Sequence, residues 1–248
     1  MLNIVIPMAG KGSRFQEAGY AFPKPLIDIN GETMIEVVTR NLKPTCDHKF
    51  IFICQREHYE KYDLHNVLKN ATDNNFEVIQ LNGITQGAAC TVLTAAQYIN
   101  NDDEVLMANS DQFIEFDIND FIKESRKGDK DGLIMTFKAS HPKWSYARVD
   151  DSNKVLEVAE KKVISDKATV GIYYFKKGSD FVEGAQAMIH KDIRHNNEFY
   201  VCPVYNELVL KGEKIYIYSI GAEKMHGLGT PEDLNVFLKK IEEGKIKI

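Results

Sequence analysis

An apolar run, Asn3-Ile4-Val5-Ile6-Pro7, passes without a break into Met8-Ala9-Gly10-Lys11-Gly12-Ser13-Arg14, and Phe22-Pro23-Lys24-Pro25-Leu26 follows shortly after. No other feature restricts the fold as much. A strand that empties into a loop of two glycines and two cations can wrap an oligophosphate. Glycine lets backbone N–H groups turn inward without a Cβ clash, and Lys11, Arg14 and Lys24 neutralise charge. Ala9, Gly10, Lys11, Gly12 and Ser13 are therefore the candidate nucleotide-binding residues. The spacing is neither of the two common phosphate loops. A Walker loop needs four residues between its glycines and then Lys-Ser/Thr, and a dinucleotide turn needs a third glycine where this chain has Phe15.

Strand-like and helix-like runs alternate through the first half. Ile4–Met8 precedes a helical stretch near Thr33–Leu42, Phe50–Cys54 one near His58–Leu68, and Phe76–Leu81 one near Ala88–Tyr98; Glu104–Ala108 closes the series. Such alternation predicts an α/β fold with a mostly parallel sheet flanked by helices and ligands at the carboxyl ends of its strands. The second half is richer in strands: Gly132–Lys138, Ser145–Asp150, Lys154–Glu160, Thr169–Phe175 and Lys214–Ile220, with Asp151-Ser152-Asn153 as a hairpin turn. A last helix follows Thr230 as N-cap and Pro231 at its first position. No linker, repeat or low-complexity stretch interrupts the chain. It reads as one mixed domain over residues 1–248, with a nucleotide half at about 1–130 and an acceptor half at about 131–248.

Hydrophobic residues make up 44% of the 248 and charged residues 27%, enough apolar content for a sizeable core. The net charge of −5 argues against nucleic acid or an anionic membrane as the main partner, so the cations should be concentrated around a bound anion. No run of eighteen apolar residues occurs, and the N-terminus reads as entering a strand with no leader, which leads to the expectation of a cytoplasmic protein. Cys46, Cys54, Cys90 and Cys202 are scattered without ligand spacing and read as reduced thiols.

Two further segments point to chemistry. In Met107-Ala108-Asn109-Ser110-Asp111-Gln112-Phe113, Asp111 falls just past a buried strand. A carboxylate there, facing an oligophosphate, can hold Mg²⁺, which takes one or two protein carboxylates along with phosphate oxygens and water. It can equally serve as a turn or capping aspartate. Leu81-Asn82-Gly83-Ile84-Thr85-Gln86-Gly87-Ala88-Ala89 links a strand to a helix. It can present backbone and amide groups to a base, or cap the helix through Thr85 and Gly87.

The Gly-x-Gly-x-Arg…Pro-Lys arrangement, with Gly229-Thr230-Pro231-Glu232-Asp233-Leu234 near the end, resembles the sugar-phosphate nucleotidyltransferases, the nucleoside-diphosphate-sugar pyrophosphorylases. The resemblance runs from about Met1 to Leu238, and the Pro-Met-Ala-Gly-x-Gly-Ser-Arg-Phe opening resembles a capsule or surface-polysaccharide branch. It implies the mixed Rossmann-like sheet shared with A-type glycosyltransferases, a nucleoside triphosphate and a sugar phosphate as partners, Mg²⁺ on Asp111, and a base read by Gln86 and Gly87. It also implies an acceptor held by Glu160 and Lys161 of Val158-Ala159-Glu160-Lys161-Lys162, by Gly171 of Thr169-Val170-Gly171-Ile172-Tyr173, and by Glu198 of Asn197-Glu198-Phe199-Tyr200. Lys162 stands where the family has proline. Trp144, Tyr146 and Tyr200 either offer apolar faces to the acceptor or pack in the core. In Met225-His226-Gly227-Leu228-Gly229, Gly227 takes the place of the family's second metal-binding aspartate. Either Asp111 then holds the ion with phosphates and water, or another acid such as Glu223 helps, and His226 next door is a further candidate to meet the acceptor. Relatives are commonly dimers or tetramers, so a homo-oligomer is a further expectation.

The expected reaction is attack of the acceptor phosphate on the α-phosphorus of the triphosphate, with pyrophosphate leaving in line. Arg14 and Lys11 would hold the β- and γ-phosphates and Lys24 the α-phosphate, with Arg14 and Lys24 as the catalytic pair. CTP is favoured on resemblance alone. Two rivals are a glycosyltransferase of the related fold and a non-catalytic nucleotide-binding protein. The first usually carries Asp-x-Asp, where this chain has Asp111-Gln112-Phe113; the second draws on Gly227.

Overall fold

The computed structural model describes residues 1–248. Its strands are β1 (Leu2–Pro7), β2 (Asp28–Ile29), β3 (Glu32–Thr33), β4 (His48–Gln55), β5 (Phe76–Leu81), β6 (Glu104–Ala108), β7 (Gln112–Ile114), β8 (Gly132–Lys138), β9 (Tyr146–Val149), β10 (Val155–Ala159), β11 (Lys167–Phe175), β12 (Ile215–Ile220) and β13 (Met225–Gly227). Nine form one sheet. β6, β1, β4 and β5 lie side by side and parallel, as the expected α/β class requires. After β1, each is reached through a helical crossover, which is the only economical way to bring the chain back to the same end.

Both faces of the sheet are covered. Along β1, Leu2, Ile4 and Ile6 pack with Phe50 and Phe52 on one face, while Val5 packs with Ile51 and Ile53 on the other. This explains why these segments read as continuous apolar runs. The helix Met34–Leu42 covers one face. It starts on a capping box in which Thr33 and Glu36 satisfy each other's backbone N–H groups.

β11 runs antiparallel beside β6 and carries the sheet into the second half, where it also pairs with β8; β12 extends this edge parallel to β8. The hairpin β9–β10 turns at Asp151-Ser152-Asn153 and meets β11 at Tyr146↔Ala168. β11 changes register against β8 between Thr169 and Tyr173, and Gly171 sits in that irregularity with φ +93°. β7 and β13 form a separate ribbon, and β2 with β3 a short hairpin.

The expected helix near His58–Leu68 is two helices, Arg56–Lys61 and Leu64–Ala71, separated at Asp63 in a left-handed conformation. The stretch near Ala88–Tyr98 is likewise two, Ala88–Leu93 and Ala96–Ile99. Three further helices, Ile118–Ser125, Gly178–His190 and Val204–Leu210, lie where the sequence reading names none. Gly178–His190 contains two glycines, which lower helix propensity. Close packing decides the matter: a Cβ on Gly178 would lie 2.0 Å from the Ile99 carbonyl oxygen, and one on Gly184 2.6 Å from Leu208. The closing helix Pro231–Glu242 begins as expected, with Thr230 Oγ1 accepting from the Asp233 N–H. No helix is long and apolar enough to cross a membrane.

Candidate active site

The carboxyl ends of β1, β4, β5 and β6 open on two adjoining cavities. One, of about 360 Å³, is lined by Met8, Ala9, Gly10, Lys24, Gly87, Ser110 and Glu198 among others. The other, of about 560 Å³, lies over the β11 irregularity and is lined in part by Arg14, Glu160, Lys161, Gly171, Trp144 and Asp233. Asn109, Asp111, Ala88 and Tyr200 border both.

The glycine–cation loop leaves β1 and turns at Gly12, which has φ +63° and opens the short helix Ser13–Glu17. Lys24 follows on a single 3₁₀ turn, and a Cβ on Gly12 would lie 3.3 Å from the Lys24 Cβ, so loop and lysine are in contact. Lys24 Nζ donates to Asp111 Oδ2 at 2.7 Å. Asp111 stands just beyond β6. Its carbonyl oxygen accepts from the Leu228 N–H at 2.7 Å, and its carboxylate lies where a Cβ on Gly229 would reach within 2.9 Å. The Gly229-Thr230-Pro231 turn thus fixes Asp111, and glycine at 229 leaves room for its carboxylate.

The loop 82–87 is tied down from two sides. Gln55, at the end of β4, donates to the Ala9 carbonyl at 2.6 Å and to that of Gly83 at 3.1 Å. Phe199 N–H donates to the Gln86 carbonyl at 2.8 Å, and the Phe199 carbonyl accepts from Ala89 N–H at 2.9 Å. Gly87 lies against that strap with φ +127°; a Cβ there would come within 2.4 Å of the Phe199 oxygen. Thr85 does not cap the helix. Its hydroxyl bonds the Gly87 carbonyl and Thr91 instead.

Across the larger cavity, Glu160 is hydrogen-bonded by the Ser145 hydroxyl. Burial pushes its carboxyl above the ordinary range, partly offset by that bond and by Lys161. Lys161, in a left-handed conformation at φ +50°, donates to Tyr200 Oη at 2.7 Å, and Tyr200 donates to Glu198 Oε2 at 2.7 Å. This chain of bonds crosses from one cavity to the other. Trp144 is steadied edge-on against Phe137 at 5.3 Å, with Lys143 Nζ 4.7 Å from its ring centre.

The expected residues therefore distribute unevenly. Ala9, Gly10, Lys24 and Gly87 line the smaller cavity, whereas Lys11, Gly12, Ser13 and Gln86 belong to the flanking loops without lining either cavity. Glu160, Lys161 and Gly171 line the larger cavity, together with Arg14; Glu198 lines the smaller one. Tyr146 is wholly buried, its hydroxyl donating to the His141 carbonyl at 2.8 Å, so it offers no face to a ligand. His226 is buried as well: Nε2 meets Glu115 at 2.6 Å and Nδ1 lies 3.4 Å from Lys240, which removes it from the cavities. Glu223 lies outside them too.

Asp233 lies in the first turn of the closing helix, three residues after its N-cap Thr230. Its backbone N–H bonds that cap, yet its side chain lines the larger cavity, and the position of a Cβ on Gly227 lies 3.6 Å from its Oδ2. Gln55, Asn109, Gln112, Ser145 and Asp233 are the site residues the sequence reading missed. The first four lie at or beside strand ends and Asp233 in the first turn of the closing helix, and none of the four uncharged ones carries a signal of its own in the sequence.

No group of three or more His, Cys, Asp or Glu side chains converges as a metal site. Asp111, bordering both cavities, nevertheless suits an ion carried in by phosphates, because Mg²⁺ needs few protein ligands.

The nucleotidyl transferase family profile matches residues 4–214. The bifunctional protein GlmU of Methanocaldococcus jannaschii is 27% identical over 179 residues, covering 71% of this chain, and the match spans 40% of that relative's length. A crystal structure of a nucleoside-diphosphate-sugar pyrophosphorylase from Vibrio cholerae RC9 superposes with a TM-score of 0.82 at 28% identity, covering 95% of this chain and 99% of that one. The inositol-1-phosphate CTP transferase of T. maritima shares the fold, with a TM-score of 0.74 at 13% identity, covering 98% and 96% of the two chains.

Proposed function

The chain belongs to the nucleotidyl transferase family, and from that premise we propose that it joins the NMP of a nucleoside triphosphate to a sugar phosphate and releases pyrophosphate. One observation carries the reading: Lys24 and Asp111 form an ion pair where two cavities adjoin, one behind the glycine–cation loop and one rich in hydroxyl-binding groups. That geometry suits a reaction between two phosphorylated substrates. The triphosphate lies in the smaller cavity against Ala9, Gly10 and Gly87, with Lys11, Gly12, Ser13 and Gln86 in the flanking loops. The acceptor lies in the larger one against Glu160, Lys161 and Gly171, and Glu198 joins it through Tyr200. Residues 1–130 thus serve chiefly the nucleotide and 131–248 chiefly the acceptor.

Bringing the acceptor phosphate up to the α-phosphorus concentrates negative charge at the junction. Lys24 exchanges its bond to Asp111 for the α-phosphate, where its ammonium stabilises the pentavalent arrangement. Arg14, which lines the larger cavity and not the smaller one, reaches back across the junction to the leaving pyrophosphate. Asp111, released from Lys24, would hold Mg²⁺, which supplies charge neutralisation and alignment of phosphate oxygens. Positioning and charge suffice for in-line displacement, and no covalent intermediate with the protein is required. CTP is placed first among the nucleotides, and a surface-polysaccharide precursor in the cytoplasm first among the products, on the resemblance of the Pro7–Phe15 segment. The test is pyrophosphate release with CTP, UTP, dTTP and GTP against a panel of sugar and polyol phosphates. Release that requires one particular nucleotide and one particular phosphate supports the reading. Hydrolysis of a nucleotide sugar, or tight nucleotide binding with no release, overturns it.

A further inference from the structure

Glu198 was expected against the acceptor, yet it lines the smaller cavity and not the larger one. A stiff turn carries it there. His195 and Glu198 exchange both backbone hydrogen bonds at 3.0 Å, and Asn196 and Asn197 between them take φ +47° and +63°. That is the two-residue hairpin turn whose central residues are both left-handed, a conformation asparagine tolerates. Arg194 donates to the Asn197 carbonyl at 3.2 Å and lies 4.0 Å from the ring centre of Phe199, whose backbone is bonded to Gln86 and Ala89. Two acids line the smaller cavity. Asp111 is paired with Lys24, whereas the exposed Glu198 carboxylate meets no cation and takes one hydrogen bond, from Tyr200 Oη at 2.7 Å. Burial, helped by Glu198, pushes the Tyr200 phenol well above its ordinary range, so it keeps its proton and stays a donor. An unpaired carboxylate repels a triphosphate, and so it has to face an uncharged part of the nucleotide. Tyr200 borders both cavities, where the α-phosphorus must lie to be attacked from the larger one. The nucleotide group next to the α-phosphate is the ribose, and the base lies one step further, towards the loop 82–87.

We propose that Glu198 is a specificity-determining residue that accepts the 2′- and 3′-hydroxyls of the nucleotide's ribose and so selects ribonucleotides over deoxyribonucleotides. The inference rests on the proposed function in one respect, that a nucleoside triphosphate occupies the smaller cavity. An ionised carboxylate only accepts, and its two oxygens offer about four lone-pair positions. Tyr200 takes one of these, which leaves enough for two neighbouring hydroxyls. Hydrogen bonds to a charged acceptor are the stronger kind, and the 2′-hydroxyl is the group by which a protein tells ribose from deoxyribose. A deoxy analogue brings the carboxylate up to the triphosphate with fewer donors to satisfy it. The choice of sugar then lies with the 195–198 turn, and the choice of base with the loop 82–87.

The experiment compares wild type, Glu198→Ala and Glu198→Gln with CTP, UTP, GTP and ATP and with the 2′-deoxy and 3′-deoxy analogue of each. Calorimetry with Mg²⁺ gives the Kd of every nucleotide, and pyrophosphate release gives kcat/KM with the acceptor that wild type uses. For the base that wild type prefers, the deoxy analogues should lose ~10²-fold in kcat/KM, with Kd rising in the same order. Glu198→Ala should bring ribose and deoxyribose within ~3-fold of each other and leave the order of bases unchanged. Glu198→Gln keeps the shape and one accepting oxygen without the charge, and should retain a ~10-fold preference. If no nucleotide binds, the proposed function and this inference fall together. If nucleotides bind and no pyrophosphate is released, the proposed reaction alone fails, and the Kd ratios still decide this inference. If wild type holds ribose and deoxyribose equally, or Glu198→Ala keeps the preference and alters base order or acceptor KM instead, Glu198 does not read the ribose. Failure of both variants to fold would make it a structural residue, and in each of these cases this inference alone is overturned.

Discussion

At the residue scale, the Lys24–Asp111 pair sets Lys24 apart from Arg14. Arg14 faces the larger cavity from an exposed position, whereas Lys24 is half-buried and bonded at the junction. Lys24→Ala should therefore lower kcat by ~10²-fold or more with a modest change in nucleotide KM, and Arg14→Ala should raise that KM while lowering kcat. Steady-state kinetics separate the two; unchanged turnover in Lys24→Ala would remove it from the chemistry. Gly229→Ala probes the same centre without touching a charge. Its methyl group would press on Asp111 at 2.9 Å, so activity should fall ~10–10²-fold with little loss of melting temperature. The glycine–cation loop, Lys24 and Asp111 were legible in the sequence because each combines charge with a strand end. Gln55, Ser145 and Gln112 were not, because an uncharged polar residue acquires meaning only from what the fold sets beside it.

At the scale of elements, the parallel strands were legible from their apolar runs, since burial on both faces leaves no alternation to confuse the pattern. The helix Gly178–His190 was not, because contact with Val204–Leu210 and with the sheet outweighs its two glycines, and Val204–Leu210 was not because it is only seven residues long. Gly87 shows the same dominance of contact over local preference. Gly87→Ala combines a left-sided φ with overlap on the Phe199 backbone, and should destabilise by ~1–3 kcal/mol or more, read as a lower melting temperature and denaturant midpoint. The β7–β13 ribbon carries a pH dependence of its own. Burial lowers the His226 pKa from 6.5, with Glu115 opposing the shift. Stability linked to a depressed group is present above its unfolded pKa and is lost as pH falls through the folded one. Wild type should lose melting temperature as pH drops below 6.5, and His226→Gln, able to bond the same neighbours, should lose less. Parallel pH profiles for the two proteins would exclude His226 as the origin.

At the scale of the whole molecule, one sheet joins the two cavities, and the proposed metal site belongs to the assembled complex. Lys24 already occupies Asp111, so free Mg²⁺ should bind weakly and the metal–nucleotide complex far better. Calorimetry should show Mg²⁺ affinity rising at least tenfold when CTP or another accepted nucleotide is present. Full turnover in excess EDTA, or a wild-type rate for Asp111→Asn, would dismiss the metal. Lys161→Ala should raise the KM for the acceptor with a much smaller effect on nucleotide affinity, because its ammonium faces the larger cavity. The strap at Phe199 adds a constraint of another kind. It bonds Gln86 and Ala89 beside one cavity, and its neighbours Glu198 and Tyr200 lead by hydrogen bonds to Lys161 beside the other. A shift of either loop is passed to the other through these bonds, so a substrate that moves one also repositions the other. The two binding equilibria are then reciprocal: whatever factor the acceptor adds to nucleotide affinity, the nucleotide must add to acceptor affinity. Gly87→Ala, by prising the strap away, should shrink both factors together and leave two sites that fill independently.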